Sequence, residues 1–196
     1  MFKKFVFLFA LCGCAFALSA QNAIDVERVD FNGLRDNWIQ LEVKLACRGK
    51  VAEGAKNPNF VERIKVKPYI AWKTDSAKNE FSYYSSEVEV VIMEKGDDNN
   101  VYFYLPGLIV ERDQLTDTPD FYYIEVSVND EVIKPQRPAF SSSITNAKIL
   151  ESFIKNAESN GSVNEFILTP LHLLTPGVDV GRVSDLPSFL RRESRN

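Results

Sequence analysis

Between Ile24 and Ile133 the chain alternates apolar and polar residues with a period of two, the mark of strands that bury one face. Residues 24–31 open the pattern, and Asn32-Gly33 follows as a turn dipeptide. From Trp38 to Cys47 the polar side carries Gln40, Glu42 and Lys44 with Trp38, and the apolar side Ile39, Leu41, Val43 and Leu45. Residues 48–60 are polar and read as a loop. Residues 64–72 make a third strand, in which Pro68 lacks an N–H and so marks an edge or a bulge. Residues 81–86 lead into a strand at 88–93. A turn at 96–100 is expected to fold the chain back as a hairpin into 101–105, and Leu108 to Val110 reads as a further short strand. Residues 121–128 turn at Asn129-Asp130 into 131–133, the last hairpin.

Seven or eight short strands, with turns roughly every 8–15 residues, favour two stacked antiparallel sheets. No long helical run separates the strands, which argues against parallel crossover units. The expected fold is mostly β: an immunoglobulin-like antiparallel β-sandwich with one α-helix on the C-terminal side. A closed barrel of the OB type is the alternative. The two inter-sheet cysteines of antibody domains are missing, so the likeness is one of architecture. After Pro135-Gln136-Arg137-Pro138 the period changes. Thr145 is placed to cap a helix, on which Ile149, Leu150, Phe153, Ile154 and Ala157 share one stripe, and Asn160-Gly161 supplies a left-handed stop. Residues 165–174 are apolar, broken by Pro170 and then Pro176, and add a strand or pack as an arm. The expected organisation is therefore a leader at 1–20, a sandwich core at 21–135, helix and arm at 136–177, and a mobile basic tail at 178–196.

The leader has the parts of a secretory signal peptide. Lys3-Lys4 precedes an apolar run from Phe5 to Leu18, and Ser19-Ala20 supplies small residues for cleavage after Ser19 or Ala20. The run is about fourteen residues, short of the roughly 20 that span a bilayer as a helix. Export to the periplasm or cell surface follows, with no transmembrane span in the mature chain. Leu11-Cys12-Gly13-Cys14 also resembles a lipobox, and the alternative is a protein anchored by lipid on Cys14.

Cleavage leaves about 176 residues, enough for one domain with a true core. It removes Lys3 and Lys4 and no acid, so the formal charge moves from −4 to −6. An acidic exported domain lacks the basic footprint that nucleic acid requires, so no nucleic-acid partner is expected. Only Cys47 remains, on the apolar face of its strand, and reads as a buried small residue.

The sequence defines no catalytic, cofactor-binding or metal site, and no enzyme activity is expected. His172 is the only histidine and stands among leucines. It has no Cys cluster to complete a zinc set, and no Gly-x-Ser-x-Gly elbow is present. Gly96-Asp97-Asp98-Asn99-Asn100 holds oxygen ligands but not the order of a calcium loop, and reads as a turn. Tyr83, Tyr84, Tyr102, Tyr104, Tyr122 and Tyr123, with Trp38 and Trp72, serve cross-strand packing or an exposed face for a glycan or a protein. Adjacent pairs such as Tyr122-Tyr123 must point to opposite faces. In the tail, Phe189, Leu190, Arg191 and Arg192 form a candidate partner-binding segment that adds to another sheet or groove, or folds back on its own acidic domain.

The leader, the single β domain, residues 36–43 (Asp36-Asn37-Trp38-Ile39-Gln40-Leu41-Glu42-Val43) and residues 121–126 (Phe121-Tyr122-Tyr123-Ile124-Glu125-Val126) together resemble a family of exported pilus-like proteins. These belong to type IV pilus-like gene clusters of verrucomicrobial bacteria of the Akkermansia kind. The resemblance implies an immunoglobulin-like envelope protein whose partners are other proteins of a pilus-like complex. The chain has no prepilin cleavage site and no long N-terminal assembly helix, so an accessory role suits it better than that of main subunit. The expected function is thus a non-enzymatic structural or interaction protein of the cell envelope. A carbohydrate-binding module or adhesin with exposed aromatics is the alternative, and an enzyme with a cleft of convergent titratable groups is the third reading.

Overall fold

The computed structural model describes residues 23–49, 57–75, 80–188 and 190–191; the leader, with Cys12 and Cys14, lies outside them. In chain order the strands and helices are β1 (Ile24–Gly33), β2 (Ile39–Cys47), β3 (Phe60–Asp75), β4 (Glu80–Ser85), β5 (Val88–Glu94), β6 (Asp98–Leu105), α1 (Gly107–Arg112), β7 (Phe121–Val128), β8 (Glu131–Val132), α2 (Ala147–Asn160), β9 (Thr169–Pro170) and β10 (Leu190–Arg191). One sheet has the order β1-β2-β6-β9. The other has β10-β5-β3-β7-β8, with β4 also paired to β3. Every pairing is antiparallel, and no strand closes the two sheets into a barrel. The molecule is a β-sandwich, and the barrel alternative falls away.

The period-two pattern explains the core. Ile39, Leu41, Val43, Leu45 and Cys47 of β2 face inward and meet Ile64, Val66, Ile70 and Trp72 of β3 across the sandwich. Cys47 is buried, and its burial raises the thiol pKa. It is a packing residue here, since a reactive thiol needs a lowered pKa.

Pro68 lies in the middle of β3, the central strand, and not at an edge. β5 pairs with Phe60 to Val66, and β4 with Tyr69 to Asp75, so β3 changes partner at Pro68. On the other side Pro68 stands opposite Ile124, whose N–H donates to Ala139 and so points away from β3. Pro68 is therefore in a non-hydrogen-bonded pair, and its nitrogen faces the gap between β5 and β4. Nothing is lost there. A second adjustment is made by Arg63, at φ 56°, which shifts the inward set from Val61 to Ile64 and Val66.

Other local expectations change. β1 continues through Gly33, and the reversal falls at 34–38, where Asp36 and Asn37 take left-handed φ of 56° and 59°. Asp and Asn tolerate that conformation better than most residues. The turn near Gly96 does not make a hairpin: it carries the chain from β5 in one sheet to β6 in the other. Leu108 to Val110 is helical, in α1 after Pro106, whose φ of −63° suits a helix start. Asn146, not Thr145, caps α2, accepting from the Ile149 N–H at 3.0 Å. Gly161 has φ −75° and runs on into a 3-10 turn over Gly161–Asn164. The hairpin of β7 and β8 turns where expected, with Asn129 and Asp130 at φ 52° and 68°.

α2 makes a third layer on the outer face of the β3 sheet. Phe153 and Ala157 are buried there against Tyr69, Ala71 and Tyr123. The apolar stretch at 165–174 yields only the two-residue β9, which pairs with β6, and a 3-10 turn on which His172 is exposed.

Candidate functional site

The aromatic residues are structural. Tyr84 packs on Trp72 in the sandwich core, with ring centres 5.7 Å apart, while its neighbour Tyr83 faces the α2 layer and meets Phe153 at 6.4 Å. Tyr122 meets Phe31 at the core margin, and Tyr123 stacks on Tyr69 under α2. Tyr102 and Tyr104 are buried on the outer face of β6. No tyrosine or tryptophan is exposed, so the open aromatic row that a glycan-binding reading requires is absent from the described residues.

The candidate docking segment is attached to its own domain. Leu190 is half-buried against the core, and the register sets Leu190 opposite Val90 and Arg191 opposite Glu89. Phe189 and Arg192 lie outside the described residues.

Just before it, residues 180–185 cross the outer face of β2 and β6 as a strap. Gln40 Nε2 donates to Val180 O at 2.8 Å, and Tyr104 Oη donates to the same oxygen at 3.0 Å. Gln40 Nε2 also lies 3.4 Å from Arg182 O. Asn100 Nδ2 donates to Ser184 O at 3.2 Å, and the Asn100 N–H to Asp185 O at 2.8 Å. Tyr102 Oη accepts from the Ser184 N–H at 3.1 Å. The segment expected to be a free tail is thus laid along the sheet, and Gln40 and Asn100 are buried beneath it. Sequence reading missed this row. Its signal was in β6, where residues 101–105 (Val-Tyr-Phe-Tyr-Leu) are apolar or aromatic on both faces, as strands covered on both sides are.

The opposite border of that sheet is open. The Cys47 N–H donates to Asp97 O, and Cys47 O accepts from the Gly96 N–H, so Cys47 points its backbone away from β1. Its partner Ile24 must then point its own N–H and C=O away from β2. Followed across the irregularity between Val26 and Arg28, the same parity turns the backbone groups of Val26, Val29, Phe31 and Gly33 outward. Among the described residues none of these four has a backbone partner on that side. Beside the edge runs a groove of about 420 Å³, floored by Ile24, Val26, Ile124 and Val126. The solvent face of β1 is charged: Arg28 pairs with Asp30 at 2.6 Å and Glu42 at 2.5 Å.

One carboxyl is perturbed on the outer face of the β3 sheet. Burial holds the Glu125 pKa above the ordinary carboxylate range, against the opposing pull of Lys67, and Glu158 and Glu87 push the same way as burial.

No protein-family model matches the chain, and no curated protein is similar to it. Among solved structures it is similar to a crystal structure from Akkermansia muciniphila, at 14% identity and a TM-score of 0.45, covering 59% of this chain and 76% of that one. A likeness of that degree transfers no function, and the class of the protein rests on its own sheets: a β-sandwich with one strapped face and one free edge. No helix among the described residues is long and apolar enough to cross a membrane.

Proposed function

We propose that the mature chain is a non-enzymatic interaction protein of the bacterial cell envelope, accessory to a type IV pilus-like assembly. The leader and the resemblance of residues 36–43 and 121–126 support the setting. The observation that carries the interaction is the uncovered edge of β1. An edge strand with unpaired N–H and C=O groups is a template for another strand. Here it borders a groove with an apolar floor, so an incoming extended segment of an envelope partner gains main-chain hydrogen bonds on one side and burial on the other. The charges of Arg28 and Asp30 stand on the solvent face and keep the free edge soluble until a partner arrives.

The test is photo-crosslinking in cells, with the reactive residue placed at Asp30 and, as control, at Lys155 on the exposed side of α2. The expected result is an adduct at Asp30 with a component encoded in the same pilus-like cluster, identified by mass spectrometry, and none at Lys155. Val29→Pro removes an outward N–H without touching the β1–β2 ladder, and should abolish the adduct while the protein stays folded. An identical adduct pattern at both positions, or capture that survives Val29→Pro, would overturn the edge as the docking site.

A further inference from the structure

We propose that the outer face of β2 and β6 is a binding track for an extended polypeptide, and that residues 180–185 of a second copy of this chain exchange into it. The proposal does not depend on the β1 edge, which lies at a different border of the sheet.

The contacts under the strap carry the argument. Gln40, Asn100, Tyr102 and Tyr104 take the carbonyl oxygens of Val180, Arg182, Ser184 and Asp185 and the N–H of Ser184. Only one hydrogen bond, Asn100 Nδ2 to Ser184 Oγ at 3.4 Å, goes to a side chain of the strap. The track therefore reads main chain in an extended conformation, much as a sheet edge does, but with side chains as the readers. Asn100 keeps an acceptor, Oδ1, buried without a partner, which marks a polar row built around the strap and not yet saturated by it.

The strap is also detachable by construction. It follows an exposed turn at 175–177, where Gly177 has φ 98° and no atom near the place of a side chain. Its side chains at Arg182, Ser184, Asp185 and Leu186 stay exposed. A segment held by main-chain contacts after an open hinge can leave its own domain and make the same contacts on a neighbour, which is the condition for domain exchange. The one sequence seen to fit the track is this chain's own, so the same segment of a second copy is the occupant.

The tethered strap acts at an effective concentration on the order of millimolar, so a free competitor must approach about 1 mM to displace it. This sets the experiment. A fluorescent peptide of residues 178–188 is titrated into the full mature chain and into its Gly181→Val variant. Gly181 has φ 63°, and a side chain there would come within 2.7 Å of Leu34 Cδ2, so valine loosens the resident strap without altering the track. The expected result is binding near 1 mM to the unaltered chain and about tenfold tighter to the variant. Adding Gln40→Ala and Tyr104→Phe to the variant should remove it. Amide exchange gives a second readout: the Asn100 N–H, bonded to Asp185 O, exchanges faster in Gly181→Val and is protected again by the peptide.

Two mass-labelled forms of the full chain, concentrated together to about 1 mM and then diluted, should give mixed dimers by native mass spectrometry. Failure of the peptide to bind either form at several-fold above about 1 mM overturns the track. Peptide binding without any mixed dimer overturns the second copy as its occupant.

Discussion

Single residues fix two features that composition does not show. Gly107 opens α1 where the chain passes the 34–38 reversal: a Cβ there would sit 1.9 Å from the Asp36 carbonyl oxygen. Backbone cannot yield as a flexible side chain can, so Gly107→Ala should cost about 1–3 kcal/mol, read as a lower urea midpoint at unchanged slope. Glu125 acts in the opposite direction. Its folded pKa is raised, so the native state holds this proton more tightly than the unfolded chain does. Its contribution is fully present below the ordinary carboxylate pKa and is lost as pH rises through the folded value. Glu125→Gln should therefore stabilise the protein at pH 7, with the gain shrinking to nothing near pH 4, as followed by thermal unfolding across that range. A gain that did not change with pH would contradict the burial argument.

At the level of elements, α2 shows how local and tertiary terms divide. Its apolar stripe was readable because Ile149, Phe153 and Ala157 fall on one helical face. Its cap was not, since Thr145 and Asn146 are both good caps and only the chain direction decides which side chain reaches the Ile149 N–H. Asn146→Ala should cost about 1 kcal/mol, and Thr145→Ala much less, in a paired comparison of urea midpoints. Phe153 stacks on Phe121 at 5.9 Å and also meets Tyr83. Phe153→Ala should cost about 3–5 kcal/mol and expose the amides of α2 before those of the sandwich, which hydrogen exchange would resolve. The strands tell the same story. β2 and the β7–β8 hairpin were legible from alternation and from Asn129-Asp130, because local rules suffice there. Pro68 was misread as an edge, because a proline is tolerated wherever its nitrogen faces a gap, and the gap here is made by β4 and β5, both distant in sequence.

For the whole molecule, the strap joins the two sheets: residues 180–185 lie on one, and β10 completes the border of the other. Ending the chain at residue 177 should lower stability by roughly 1–3 kcal/mol, from the half-buried Leu190 and the uncovered Gln40 and Asn100. It should also speed exchange at the Asn100 N–H. Unchanged stability and unchanged exchange would show that the strap covers nothing of consequence. The candidate segment at 189–192 was found from sequence by its apolar anchors in a basic tail. What the sequence did not disclose was its address, on β5 of its own domain.

The alternation of side chains determined by itself that this protein is built of strands, which faces they bury, and that a helix follows them, because periodicity is a property of neighbouring residues. Which sheet each strand joins, where β3 changes partners, what covers β6 and which border of β1 stays open were decided only when the chain closed on itself. Those outcomes depend on hydrogen bonds and contacts between residues far apart in the chain, such as Gln40 with Val180 and Cys47 with Asp97, and no local pattern encodes the meeting of two such distant segments.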